Sequence, residues 1–315
     1  MRQSQFKTQH NLISHSDEKI YEIALNELRQ NILKNTTKSD IPAIERMQML
    51  DELSAFELGR FLIQNRGLNG RWTQYLVLHP QNGRLTGLSS DGKLFSKFER
   101  WALDRCPMAL ASQERFFTFQ KLLQSKLKNG VRIASVPCGL MDDLLGLNYK
   151  NLNDFKLIGV DLDEQSLQLV LENAMQNRLE KHCEFIEEDA WNMQIKNQFD
   201  IVTSNGLNIY EPDDERIEQF YSRLYKALKP EGVLISSFLT PPPTRENKSE
   251  WDASQINEDD LRTQRILLGD ILNVRWLAAH RSESKMRDIF GAAGFKDVNV
   301  IYDRQRLFPT IVGIK

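Results

Sequence analysis

The chain has 315 residues, 41% hydrophobic and 27% charged, and its 41 basic and 43 acidic side chains leave a net charge of −2. That size suits one large domain with a smaller appended unit, in a composition ordinary for a soluble globular protein, and the near-neutral balance gives no overall attraction to nucleic acid. No run approaches the roughly 18 apolar residues of a membrane span, the N-terminus lacks the apolar core of a secretory signal, and Cys106, Cys138 and Cys183 show neither metal spacing nor a disulfide framework. A reduced, cytoplasmic compartment is therefore expected, with no membrane and no metal.

In chain order, residues 1–15 are polar, and an amphipathic helix is predicted from Ser16 to Lys34 with Ile20, Ile23, Ala24, Leu28 and Ile32 on one face. Ser39-Asp40-Ile41-Pro42 reads as the start of a second helix carrying Ile44, Met47, Leu50, Leu53, Phe61 and Leu62 and ending near Gly67. Between Arg66 and Tyr75 the chain concentrates arginine, asparagine, glycine and aromatic residues. Such a stretch suits a binding loop presenting Arg66, Asn69 and Tyr75, and equally a structural turn anchored by Trp72 and Tyr75. Asn82-Gly83 and Asp91-Gly92 predict a hairpin or irregular loop over 76–95, after which Phe95–Leu127 reads as helical with a break near Pro107.

The organising stretch is Val131–Asp163. It reads as a strand over Val131–Val136, a tight turn at Pro137-Cys138-Gly139, a helix from Met141 to Leu147, and a second, continuously apolar strand, Lys156–Val160, closed by Asp161. A parallel pair of this kind sets the turn beside Asp161 at the carboxyl edge of a sheet, where a carboxylate can accept from ribose hydroxyls. Leu167, Val170, Leu171 and Ala174 are predicted as the buried side of the next helix, followed by a third strand, Cys183–Ile186. Asp200–Thr203 reads as a fourth strand, a helix over Glu215–Leu228 stops at Lys229-Pro230-Glu231-Gly232, and a fifth strand, Val233–Leu239, runs into three prolines. A last helix around Met286–Phe295 and closing strands at Val298–Tyr302 and Thr310–Ile314 complete the pattern.

This order of signals resembles the class I S-adenosylmethionine-dependent methyltransferases. Ser135-Val136-Pro137-Cys138-Gly139-Leu140-Met141 occupies the position of the family's glycine-rich loop, Gly159–Asp163 its ribose-binding strand end, Glu187–Trp191 its adenine-binding turn, Phe199–Gly206 its fourth strand and active-site loop, and Leu228–Ile235 its turn into strand five. The loop keeps one glycine of three, and Ser135 replaces the usual acidic residue, whose charge Asp142 or Asp143 could supply. The resemblance implies an α/β, Rossmann-like, doubly wound seven-stranded mostly parallel sheet, with an N-terminal helical cap at 1–100, a methyltransferase domain at 101–315, and an insertion after strand five at about 241–284. It implies S-adenosylmethionine held by Ser135, Pro137, Cys138, Gly139, Asp161, Leu162, Asp189, Ala190, Trp191 and Asn205. Asn205, Asn208 and Tyr210 become the catalytic candidates, and Arg66, Asn69, Tyr75 and Tyr210 the substrate-binding ones. The enclosing cap and insertion favour a small-molecule acceptor. The alternatives are an RNA or protein methyltransferase, though nucleic acid is not expected as a partner, and a cofactor-binding scaffold without catalysis. Nothing in the sequence bears on oligomeric state.

Overall fold

The computed structural model describes residues 18–34, 41–244 and 249–315. The predicted helix start at Ser16, the Ser39-Asp40 cap, the polar segment before residue 16 and residues 245–248 of the insertion lie outside them. Among the described residues, seven helices precede the sheet: α1 (Glu18–Lys34), α2 (Ala43–Ser54), α3 (Glu57–Asn65), α4 (Gly70–Val77), α5 (Gly83–Thr86), α6 (Lys97–Asp104) and α7 (Pro107–Lys126). Then follow β1 (Val131–Ser135), α8 (Asp142–Leu145), β2 (Phe155–Asp161), α9 (Glu164–Gln176), β3 (Cys183–Glu187), β4 (Phe199–Ser204), α10 (Asp214–Ala227) and β5 (Leu228–Ser237). The remainder comprises α11 (Glu258–Gln264), which continues as a π-helical stretch, Arg265–Ile271, and then α12 (Glu283–Ala293), β6 (Lys296–Ile301) and β7 (Thr310–Ile314).

The seven strands form one sheet in the order β3-β2-β1-β4-β5-β7-β6, parallel except where β7 runs against β5 and β6. Strand order reverses between β1 and β4, the switch point at which α/β sheets bind ligands. The register pairs Ser135 with both Gly159 and Thr203, and Ser204 with Ser236, so the ends of β1, β2, β4 and β5 share one edge. Helix ends follow local chemistry. Asp163, Asp213 and Ser96 accept backbone N–H bonds in the first turns of α9, α10 and α6, and Pro107 opens α7.

Several predicted elements are corrected. The long second helix is two, because Phe56 is extended, with φ −137° and ψ 156°, and Gly59 then lets α3 pack on the end of α2, where a Cβ would sit 1.8 Å from the Leu53 carbonyl oxygen. The buried stripe of α1 is Tyr21, Ala24, Leu25, Leu28 and Ile32, which leaves Ile20 and Ile23 exposed on its flank, as Ile44 is on α2. Leu171 likewise faces solvent on α9. The predicted Met141–Leu147 helix shrinks to one turn, since Met141 takes a left-handed φ of 54°. Lys229–Gly232 is a bulge within β5, between the pairings of Leu228 and Val233. The 76–95 region holds α5 and a bridge between Leu88 and Leu94.

The apolar interior has three parts. Two lie on the faces of the sheet. The third joins Leu50, Leu53, Phe61, Ile63 and Trp72 of the N-terminal helices to Leu267, Leu272, Trp276 and Phe308 from beyond β5. The N-terminal helices and the segment after β5 thus share a core, so truncating a side chain such as Leu53 costs about 2–5 kcal/mol.

Candidate functional site

The turn after β1 is fixed by its neighbours. Cys138 N–H donates to the Val160 carbonyl at 2.9 Å, and Gly139 N–H donates to Asp161 Oδ2 at 3.1 Å. Gly159 makes this approach possible, because a Cβ there would lie 2.8 Å from Met141 Sδ and 3.2 Å from Cys138 Sγ. Gly139 itself has a φ of 49°, in the left-handed region open to glycine. The other oxygen of Asp161 accepts from Asp163 N–H at 3.1 Å, so this carboxylate both holds the turn and faces the cleft.

Around the turn lies a cavity of about 520 Å³, walled by Ser135, Pro137, Cys138, Gly139, Asp161, Leu162, Asp189, Ala190, Trp191, Asn205, Tyr210 and Asn69 among others. Asp189 is shaped by Trp191 N–H at 3.0 Å and Asn192 Nδ2 at 2.6 Å. Trp191 is braced by Phe220, 5.0 Å between ring centres. The Oδ1 of Asn205 is buried without a hydrogen-bond partner. Tyr210 receives Leu68 N–H on its hydroxyl at 3.2 Å, and Gly70 abuts Gly139, so the start of α4 closes over the turn.

Three predicted site residues point elsewhere. Arg66, left-handed at the end of α3, sends its guanidinium to within 3.7 Å of Glu27 and lies off the cavity wall. Tyr75 turns away to donate to Glu99 at 2.8 Å. Asn208 is buried behind the wall, where its Nδ2 donates to the Ser237 carbonyl at 2.7 Å. The Arg66–Tyr75 stretch is therefore a helix start, with the Asn69 side chain accepting from Trp72 N–H, and of its residues Leu68, Asn69, Gly70, Thr73 and Gln74 line the cavity. Neither His79 nor His280 lines it; their pKa values are lowered chiefly by burial.

The structure also places Asp142 and Asp143, the acidic residues that could stand in for the one replaced by Ser135, and adds Arg115. Asp142 accepts from Gln74 Nε2 at 2.7 Å and Asn173 Nδ2 at 3.1 Å. Asp143 is buried with Oδ2 unpartnered, and burial pushes its carboxyl up to about 6. Burial also raises Asp142 and Asp161. It raises the Cys138 thiol, leaving that group an inert wall residue. Arg115, from α7, completes this set. Asp142 and Asp143 were visible as acidic residues after the turn; Arg115 carried no signal, being one charge in a helix distant in sequence from every motif.

A family model described as a methyltransferase domain matches residues 133–232. A solved structure of a possible exported protein from Bordetella parapertussis is 36% identical, with 96% of this chain and 97% of that one covered, at a TM-score of 0.87. A candidate O-methyltransferase structure from Nostoc punctiforme, 14% identical over 93% of this chain and 95% of that one, shares the fold at a TM-score of 0.50. The ribosomal protein L11 methyltransferase of Dictyoglomus thermophilum is 30% identical over 117 residues, 37% of this chain. The chain spans only 35% to 51% of the length of the curated relatives it matches. Sheet order, glycine turn and strand-end carboxylates agree with a methyltransferase domain over residues 133–232, similar to those of the class I S-adenosylmethionine-dependent methyltransferases, whose cofactor is S-adenosylmethionine. Its residues fit that cofactor. A carboxylate stands at the end of β2, a backbone cradle at Gly139 has no side chain to fill it, and an unpartnered buried carboxylate oxygen on Asp143 suits a cationic group.

Proposed function

We propose that the chain transfers a methyl group from S-adenosylmethionine to a small-molecule acceptor in the cytoplasm. When bound, the cofactor supplies a methyl group already activated on a sulfonium, so the protein's task is alignment more than acid–base chemistry. Asp161 accepts from the ribose hydroxyls, and Asp189 accepts from the adenine amine. Leu162, Ala190 and Trp191 pack on the ring, while Ser135, Pro137, Cys138 and Gly139 let the backbone approach the amino-acid end. Asn205 and Tyr210 orient the acceptor and Asn69 borders it. Asn208 acts through the β5 backbone as a positioning residue, and Arg66 and Tyr75 are assigned no contact. We divide the chain into a cap at 1–100 and a catalytic domain at 101–315, with the insertion at about 241–284.

One observation carries the small-molecule reading. The Leu68–Tyr210 hydrogen bond and the Gly70–Gly139 contact roof the cavity with the chain's own N-terminal helices. An acceptor must fit beneath that roof, which suits a small molecule and hinders a folded RNA or protein. Among the described residues no helix is long and apolar enough to cross a membrane, and Cys106, Cys138 and Cys183 are unpaired, in keeping with a reducing compartment. The test is incubation with methyl-labelled cofactor and a size-fractionated extract of the native cell. Label entering the low-mass fraction supports the reading. Label confined to ribosomal protein, as the Dictyoglomus relative's name would suggest, or to RNA, refutes it.

A further inference from the structure

Arg115 belongs to no motif. Helix α7 carries it beneath the carboxyl edge of the sheet, where it is 4% exposed yet forms part of the cavity wall. Its Nη1 donates to Ser237 Oγ at 3.0 Å, while its Nε is buried without a hydrogen-bond partner. Among the described residues no carboxylate lies within ion-pair distance of it. Asp143 and then Asp303 are near enough to be felt, but neither reaches the guanidinium, and the oxygens of Asp303 already accept from the N–H groups of Gln305, Leu307 and Phe308. The guanidinium lies 4.1 Å from the centre of the Phe308 ring.

A guanidinium presents five donors in a flat fork and stays charged at any working pH. Burying one with a single hydroxyl partner is unfavourable, and burial accordingly pulls its pKa below the ordinary value. Such an arrangement in a cavity wall makes sense when a ligand brings the missing anion. The surroundings describe the rest of that ligand: Met108, Phe116, Leu239, Trp276 and Phe308 are apolar wall residues.

We propose that Arg115 binds a carboxylate on the methyl acceptor, which makes the acceptor an apolar carboxylic acid whose body fills the Met108–Phe116–Trp276 side of the cavity. The assignment rests on the methyltransferase reading above. Position favours the acceptor over the cofactor's own carboxylate. The partner hydroxyl, Ser237, ends β5, three strands and so about 14 Å across the sheet from Asp161 on β2. The glycine turn and the Asp142–Asp143 pair lie between, after β1. The β4–β5 side instead carries Asn205 and Tyr210. One buried guanidinium balances one negative charge and pairs two-pronged with a carboxylate.

The test uses the full chain saturated with S-adenosylhomocysteine and titrated, by ligand-observed NMR, with phenylalkanoates from phenylacetate to 5-phenylpentanoate, each beside its primary amide. At least one acid should bind better than its amide by about tenfold or more, the worth of a charge-assisted bond. Arg115→Met should abolish that preference, leave S-adenosylhomocysteine affinity unchanged, and hold or raise the thermal midpoint of the free protein. Arg115→Lys should keep part of the preference. The proposal is overturned by equal binding of acids and amides to the wild type, by a preference that survives in Arg115→Met, or by failure of that variant to fold, which marks a structural arginine. It is also overturned if Arg115→Met weakens S-adenosylhomocysteine, which would assign the guanidinium to the cofactor's carboxylate. A wild type that binds no S-adenosylhomocysteine refutes the methyltransferase reading instead, and the acid–amide comparison run without it still decides the role of Arg115.

Discussion

Asp143 gives the most quantitative prediction. It is 6% exposed, one carboxylate oxygen lacks a partner, and neighbouring Asp142 adds to the cost of its charge. Burial, the main cause, lifts its carboxyl from 3.8 to about 6. Because the folded-state value lies above the unfolded one, the native protein holds a proton that the unfolded chain has released. This contribution to stability is therefore greatest at low pH and is lost as pH rises through 6. Linkage puts the loss between about pH 5 and pH 7.5 at about 1.4 kcal/mol. Asp143→Asn removes the titration, and any fixed cost of the amide cancels when two pH values are compared. Urea unfolding of both proteins at the two pH values should then show the variant gaining on the wild type by about 1.4 kcal/mol toward the higher pH. In the same range wild-type affinity for S-adenosylmethionine should rise as the carboxylate ionises, and the variant should bind more weakly. A stability difference that stays flat between the two pH values, or changes in the opposite sense, refutes the reasoning.

Asp161→Ala should weaken S-adenosylmethionine binding in calorimetry by about 1–3 kcal/mol, since the strand-end acceptor and the anchor of Gly139 are lost together; tight NAD binding without binding of the methyl donor would contradict the cofactor assignment. Gly70→Val should weaken binding of both cofactor and acceptor with helix content retained, because even a Cβ there would lie 3.2 Å from Gly139 Cα and a branched side chain must push the turn aside; unchanged affinities would show that the contact is idle. With a net charge of −2, any RNA affinity should be weak and fall steeply with salt, as filter binding across a salt series will report; nanomolar, sequence-dependent binding at physiological salt would favour the RNA reading.

What was legible in the sequence is what local chemistry dictates. The β1 turn and Asp161 could be placed because strand, glycine and terminal carboxylate follow one another within a single unit whose handedness and direction are constrained. Asp189 and Asn205 followed by the same logic, each coming just after a strand. Side-chain aim was less accessible. Arg66 and Tyr75 sit in a segment that does reach the cavity, yet a left-handed residue at the end of α3 and the helical turn of α4 send their side chains to Glu27 and Glu99. Asn208 lies only three residues from Asn205, but a single helical turn directs it behind the wall toward the Ser237 carbonyl. Arg115 was illegible for another reason. Its meaning depends on β5 and Phe308, which are distant in sequence, and periodicity along α7 does not distinguish a buried charge from a solvated one.

The two halves of the cavity consequently have different origins. The donor half is built by consecutive βα units and depends on contacts close in sequence, such as Gly139 with Asp161 and Gly159 with Met141. The half we propose for the acceptor is assembled from α3, α4, α7, the segment after β5 and Phe308, whose apolar residues pack into one core. Loosening that shared core should therefore move the wall proposed for the acceptor while the strand ends proposed for the cofactor stay in register. Leu53→Ala supplies the case, because Leu53 is 1% exposed and also lines the cavity. Its truncation should raise the acceptor's KM well before it changes affinity for S-adenosylmethionine, a separation that steady-state kinetics and calorimetry can read side by side. Equal weakening of both would mean that the two halves form one mechanical unit, with the Leu68–Tyr210 and Gly70–Gly139 contacts transmitting strain from the roof to the turn.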